Sequence, residues 1–117
     1  MHLVLFRDRP DAVETHIPEV IVAGAPVTRF AVHDRSGDGR LSTGVWHAGI
    51  GAWRVAYTEW EFCHVIAGHA RLHEDGADPV EIGPGDSFTV QPGFAGVWEV
   101  IVPMTKHFVI LDPPSDQ

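Results

Sequence analysis

The sequence predicts an all-β domain in which short antiparallel strands close into a sandwich or barrel. Three observations point there. The 12 glycines and 9 prolines are spread along all 117 residues, and the longest stretch free of both runs from Ala52 to Ala67. At most one long helix fits such a chain. Between the breakers lie runs rich in Val, Ile, Thr and aromatic residues, which is strand composition. No segment has the length of a helix crossing between parallel strands, so the pairing is expected to be antiparallel. A chain this long accommodates one compact core and not two.

Residues 1–26 read as an N-terminal arm, with Pro10, Pro18 and Pro26 limiting each run. Within it, Leu3–Phe6 and Val20–Ala23 are each long enough for an edge strand that completes the barrel or crosses to a partner subunit. Residues 27–112 read as the barrel. Arg35-Ser36-Gly37-Asp38-Gly39-Arg40 is a polar reversal, because Gly and Asp tolerate positive φ. The stretch 52–67 is expected to be strand rather than helix, divided in two at Thr58-Glu59-Trp60. Glu74-Asp75-Gly76-Ala77-Asp78 is a hairpin loop between Ala70–His73 and Val80–Ile82. Gly83-Pro84-Gly85-Asp86 and Gln91-Pro92-Gly93 are two further sharp turns. Residues 113–117 read as a C-terminal tail.

Charge narrows the function classes. Eight Lys and Arg against sixteen Asp and Glu give a net charge of −8. Such a surface repels nucleic-acid phosphates and anionic lipid, so neither is an expected partner. The single cysteine, Cys63, cannot form an intrachain disulfide, and the four consecutive apolar residues Leu3–Phe6 are too short for a signal-peptide core. The expected location is the cytoplasm. No serine sits in a Gly-x-Ser-x-Gly frame, and Gly83-Pro84-Gly85 lacks the lysine and helix of a phosphate cradle.

The frame Gly49–Val55–Tyr57–Glu61–Gly68, followed by Gly85-Asp86 and Gln91-Pro92-Gly93, resembles the two motifs of the cupin family, a single-domain jelly-roll barrel. Gly44-Val45-Trp46, Glu61-Phe62-Cys63-His64-Val65, Gly93 to Val100 and Lys106-His107-Phe108-Val109-Ile110 extend the likeness. They resemble small cupins similar to (S)-ureidoglycine aminohydrolase. The resemblance spans roughly residues 20 to 112. It implies a metal held by three His and one Glu, at positions occupied here by Val55, Tyr57, Glu61 and Gly96. Gln91 also stands where the second motif usually has proline. A lone carboxylate and a phenol do not hold a divalent transition metal tightly, so no metal and no other cofactor is expected.

Alternation along a strand sorts the candidate site residues. If Glu61 points inward, so do Cys63 and Val65, while Trp60, Phe62 and His64 point out. Trp53, Val55 and Tyr57 share the inward parity of their strand, as do Gly96, Trp98 and Val100 of theirs. On the last strand Lys106, Phe108 and Ile110 share one face and His107 and Val109 the other; the family pattern favours Lys106 inward. The expected cavity is aromatic, with Glu61 and Tyr57 as candidate catalytic residues and Trp53, Cys63, Trp98, Lys106 and Phe108 as candidate ligand contacts. Each has a structural alternative: Glu61 satisfied by Tyr57 or Arg54, Cys63 as small core filler with a raised thiol pKa, Lys106 on the surface. A metal site joining Glu61 to His64 would need a bulge, because three residues apart they lie on opposite faces. His69 and His73 are expected on a solvated strand.

Three functions fit. One is a small-molecule-binding cupin, acting by metal-independent proton transfer from Glu61 on an organic acid, amide or sugar-like ligand. Another is a metal-dependent amidohydrolase acting on a ureido or amidino compound. The last is a non-catalytic binding or sensor module. A homodimer formed through the edge strands is a further expectation.

Overall fold

The computed structural model describes residues 2–114, so positions 115–117 of the expected tail lie outside it. Nine strands form one continuous antiparallel sheet: β1 (Ala12–His16), β2 (Ile21–Gly24), β3 (Thr28–Arg35), β4 (Leu41–Ala48), β5 (Gly51–Ala56), β6 (Trp60–Glu74), β7 (Val80–Ile82), β8 (Ser87–Val90) and β9 (Ala95–Leu111). None of the described residues is helical, and so no helix is long and apolar enough to cross a membrane. The all-β antiparallel architecture is the one expected. The turns at residues 36–40, 75–79, 83–86 and 91–94 fall where Gly, Pro and Asp placed them, and the break at 58–59 falls at Thr58-Glu59 as expected.

β9 is the spine. Along one side it pairs with β6 from Glu74↔Gly96 to Trp60↔Leu111. Along the other it pairs first with β5, from Ala56↔Ala95 to Gly51↔Val100, and then with β4, from Ala48↔Met104 to Leu41↔Leu111. The sheet bends at one level across all these strands. β4 gives way to β5 at Gly49-Ile50, β9 carries Pro103, and the β6 register shifts between Val65 and Ala70. The bend divides the sheet into a β1-β3-β4-β9-β6-β8 half and a β2-β5-β9-β6-β7 half, which share β6 and β9 and curl around one core. Trp46, Val65 and Phe108 from the first half meet Trp53, Leu72, Trp98 and Val100 from the second.

The N-terminal region differs from expectation. Leu3–Phe6 is not a strand; Asp8 N donates to Leu5 O in a turn. Phe6 instead stacks on His33 at 4.9 Å between centroids and meets the edge of His107 at 5.2 Å. The edge strand beside β3 is Ala12–His16, whose side chains are exposed except for Ala12. Val20–Ala23 does supply an edge strand, shifted by one residue to Ile21–Gly24.

Gly68 marks the corner. Its φ is +95°, and a Cβ there would lie 2.3 Å from the Pro103 carbonyl oxygen. Gly68→Ala therefore carries both backbone strain and overlap with another strand, and is expected to cost at least about 2 kcal/mol in urea unfolding. Gly37→Ala, with open space around its Cβ, should stay within about 0.5 kcal/mol of wild type.

Candidate functional site

The site forms where the two halves face each other, and β9 carries its centre. Lys106 lies opposite Trp46 on β4 and opposite Val65 on β6. Its long side chain runs along the inner face of β6, past Cys63, to Glu61. Nζ donates to Glu61 Oε2 at 3.0 Å and to Cys63 Sγ at 3.1 Å. The same ammonium lies 4.5 Å from the Trp46 ring centroid and 4.7 Å from that of Trp98. Glu61, Cys63 and Lys106 are all buried. The ammonium thus meets a carboxylate, a sulfur and two aromatic faces, and it also borders the cavity.

The aromatic wall follows from register. Trp53 pairs directly with Trp98 across β5 and β9, and their rings are near parallel at 6.5 Å between centroids. Trp98 Nε1 donates to Tyr57 Oη at 3.2 Å. Tyr57 is anchored at the end of β5 by backbone bonds to Phe94 and Gly93, with its ring edge-on to Phe94. Trp53, Trp98 and Tyr57 line a cavity of about 520 Å³ whose wall also includes Glu14, His16, Glu19, Arg54 and Glu59.

Protonation states follow from these surroundings. Burial pulls the Lys106 amine toward its neutral form, but Glu61 and then Cys63 outweigh it, and the net shift is upward. Lys106 is therefore an ammonium. The Cys63 thiol is pushed up to about 12, chiefly by burial; Lys106 opposes the shift and Glu61 adds to it. Burial, reinforced by Glu61, holds the Tyr57 phenol well above its usual range. Neither the thiol nor the phenol ionises near neutrality, and Lys106 carries no free electron pair, so all three are poor nucleophiles.

Of the residues singled out by sequence, Trp53, Tyr57, Glu61, Trp98 and Lys106 line one cavity. Cys63 and Phe108 do not line it; they lie buried behind Lys106. Lys106 is Glu61's cation, whereas Arg54 faces out and pairs with Asp75 at 2.6 Å. His64 turns away from the cavity and hydrogen-bonds with Ser87 Oγ at 2.7 Å. His69 and His73 join the outward ion pairs of Glu81 and Glu99. Sequence reasoning did not assign a site role to Trp46, Glu14, Glu19 or Glu59. Only the Trp46↔Lys106 register, a pairing of distant strands, would have revealed the first of these.

The donor set does not fit the metal that the resemblance implies. Val55 and Gly96 face each other across β5 and β9 and offer no donor atom. A Cβ at Gly96 would sit 2.0 Å from the His73 carbonyl oxygen, so the backbone leaves no room for a histidine there. The Tyr57 hydroxyl keeps its proton, and Glu61 already holds an ammonium. Among the described residues no three His, Cys, Asp or Glu side chains are poised around one point.

Breaking the buried pair from one side strands a charge. Lys106→Met or Glu61→Gln alone should each cost about 3–5 kcal/mol in denaturant unfolding, and Lys106→Met with Glu61→Leu should recover most of that loss. Cys63 should not react with an aromatic disulfide reagent at pH 8 until urea unfolds the chain. In the unfolded chain the thiol ionises from about 9, while the native thiol stays protonated to about 12, so the unfolded state releases its proton first. Stability should therefore fall with rising pH across that window, more steeply in wild type than in Cys63→Ala.

Comparison with known proteins agrees with the architecture. The model of the EutQ-like cupin domain, Cupin_3, matches residues 35–108. A protein of unknown function from Pseudomonas syringae pv. tomato superposes with a TM-score of 0.76 at 18% identity, over 88% of this chain and 46% of that one. The EutQ protein of Clostridium difficile gives 0.64 at 17%, over 74% and 63%, and ectoine synthase from P. lautus gives 0.65 at 16%, over 75% and 66%. The chain thus spans less than two thirds of the length of each of these proteins, and at such identities the likeness is one of fold. No curated protein matches it in sequence. A family model covering more than half of the chain, on a curled antiparallel barrel whose elements it spans from the end of β3 into β9, places this protein in the EutQ-like cupin domain family.

Proposed function

We propose that the cavity binds a small organic molecule, and that Glu61 and Lys106 are its chemical apparatus, moving a proton to and from the ligand without a metal. One observation carries the reading: an ammonium and a carboxylate, 3.0 Å apart and almost entirely buried, form part of the wall of an aromatic cavity of about 520 Å³. A buried ion pair is a poor way to gain stability, since well-packed apolar residues of similar volume commonly do as well or better. Its place at the cavity wall supports a use beyond packing. Glu61 supplies a proton acceptor, Lys106 a fixed positive charge and proton donor, and Tyr57 a neutral hydroxyl beside them. Nucleophilic routes are disfavoured because Lys106 is protonated and Cys63 and Tyr57 stay neutral. Hydrolysis of a ureido or amidino bond by metal-activated water lacks its donor set, so proton transfer is preferred to it.

The test is a fragment screen by saturation-transfer-difference NMR with wild type and Val55→Trp, which fills the cavity from its wall. Fragments should bind the wild type, and their signals should fall at least about tenfold in the variant. Signals that persist undiminished in Val55→Trp, or no binding at all, overturn the reading. For a fragment that is also turned over, Glu61→Gln should retain binding and lose turnover by about 10²-fold or more. Binding without turnover of any fragment leaves the recognition module as the function.

A further inference from the structure

We infer that the ligand of this cavity is a small organic cation, an amine or quaternary ammonium compound. The inference rests on the binding site proposed above and names the charge of what enters it.

Both permanent cations in the cavity wall are already neutralised. Lys106 is held by Glu61 at 3.0 Å, and Arg54 by Asp75 through two hydrogen bonds of 2.6 and 3.3 Å. The carboxylates are not balanced in return. Glu14 pairs with Arg35 at 3.1 Å, but Glu19 and Glu59 have no cationic partner among the described residues. The wall thus has two unmatched negative charges and no unmatched permanent positive one. Burial first, then the nearby charges of Glu61 and Asp112, lift the Glu59 carboxyl above its usual value. A positive ligand would relieve that repulsion, whereas an anionic one would add to it.

The aromatic surfaces point the same way, and the molecule contains its own precedent. Lys106 shows that this cluster of rings takes an ammonium, at 4.5 and 4.7 Å from the Trp46 and Trp98 centroids. The neighbouring aromatic side chains Trp53, Phe30 and Tyr57 also line the cavity. Aromatic faces joined to unmatched carboxylates are the composition that binds alkylammonium groups, with carboxylates setting charge and rings replacing hydration. An anion would find only an ammonium already bonded to Glu61. The net charge of −8 adds long-range attraction for cations.

Three probes of nearly equal shape separate charge from fit: choline, 3,3-dimethylbutanol and 3,3-dimethylbutanoate. Isothermal titration at neutral pH and low ionic strength should show choline binding wild type about tenfold or more tighter than the neutral alcohol, with the carboxylate weakest. Glu59→Gln should narrow the choline–alcohol gap severalfold, added salt should weaken choline selectively, and Val55→Trp should remove binding. Equal affinity for choline and the alcohol, or tighter binding of the carboxylate, overturns the inference while leaving the pocket intact. So does binding of none of the three when other fragments still bind in a manner lost in Val55→Trp. If no compound of any charge shows that sensitivity, the binding site itself fails, and the inference with it.

Discussion

The ammonium of Lys106 joins the two halves of the sheet. It rises from the β9 segment beside β4, bonds Glu61 and Cys63 on β6, lies against Trp46 of its own half and reaches the face of Trp98 in the other. Taking an ammonium and a carboxylate out of water costs several kcal/mol for each ion, and only close, complete partnering offsets it. That requirement constrains everything around the pair. The β6–β9 register must bring Glu61 within reach of Lys106, the corner at Gly68 must fold Trp98 over it, and Trp46 must close the remaining side.

Fold and site are therefore the same set of contacts. In many barrels a packed core carries stability and loops at the rim carry chemistry. Here the groups with chemical potential are the ones that hold the halves together, and the cavity lies directly against them. The charge that a metal would bring to the centre of such a barrel is supplied by a side chain covalently part of the spine strand. Unlike a metal it cannot leave or be exchanged, and it offers no vacant coordination position, only a proton and a field.

Alternation made much of this legible in the sequence. With Glu61 inward, period two leaves no freedom for Cys63 and Val65, and the same rule orders Trp53–Val55–Tyr57 and Gly96–Trp98–Val100. The turns were equally plain, because Gly, Pro and Asp restrict local φ and ψ whatever the rest of the chain does. What escaped was non-local or weakly patterned. Glu61 and Lys106 are 45 residues apart, and only the pairing of β6 with β9 shows that one satisfies the other. Trp46 gained its role from a register between β4 and β9. Ala12–His16 is not legible as a strand because, with one neighbour and almost no buried side chain, it carries no alternation to read. Leu3–Phe6 looked like a strand from composition, yet its aromatic ring found a better partner in His33 than its backbone found in a sheet edge. The acidic residues Glu14 and Glu19 of the N-terminal arm and the distant Glu59 converge only in space.

The position of β9 has a consequence for how the molecule is made. It is the last strand in chain order, yet β4, β5 and β6 all depend on it for a neighbour. On the ribosome those three strands emerge before it, with only the pairings of β3 with β4, of β2 with β5 and of β6 with β7 and β8 open to them. Until β9 arrives they expose unpaired edges, the indoles of Trp46 and Trp53, and a Glu61 carboxylate without its counter-charge. Closure waits on long-range partners, the slow regime of folding, and the half-made barrel is the species most exposed to sticking to its own kind. Insertion of a single strand then completes the sheet, the core and the ion pair together.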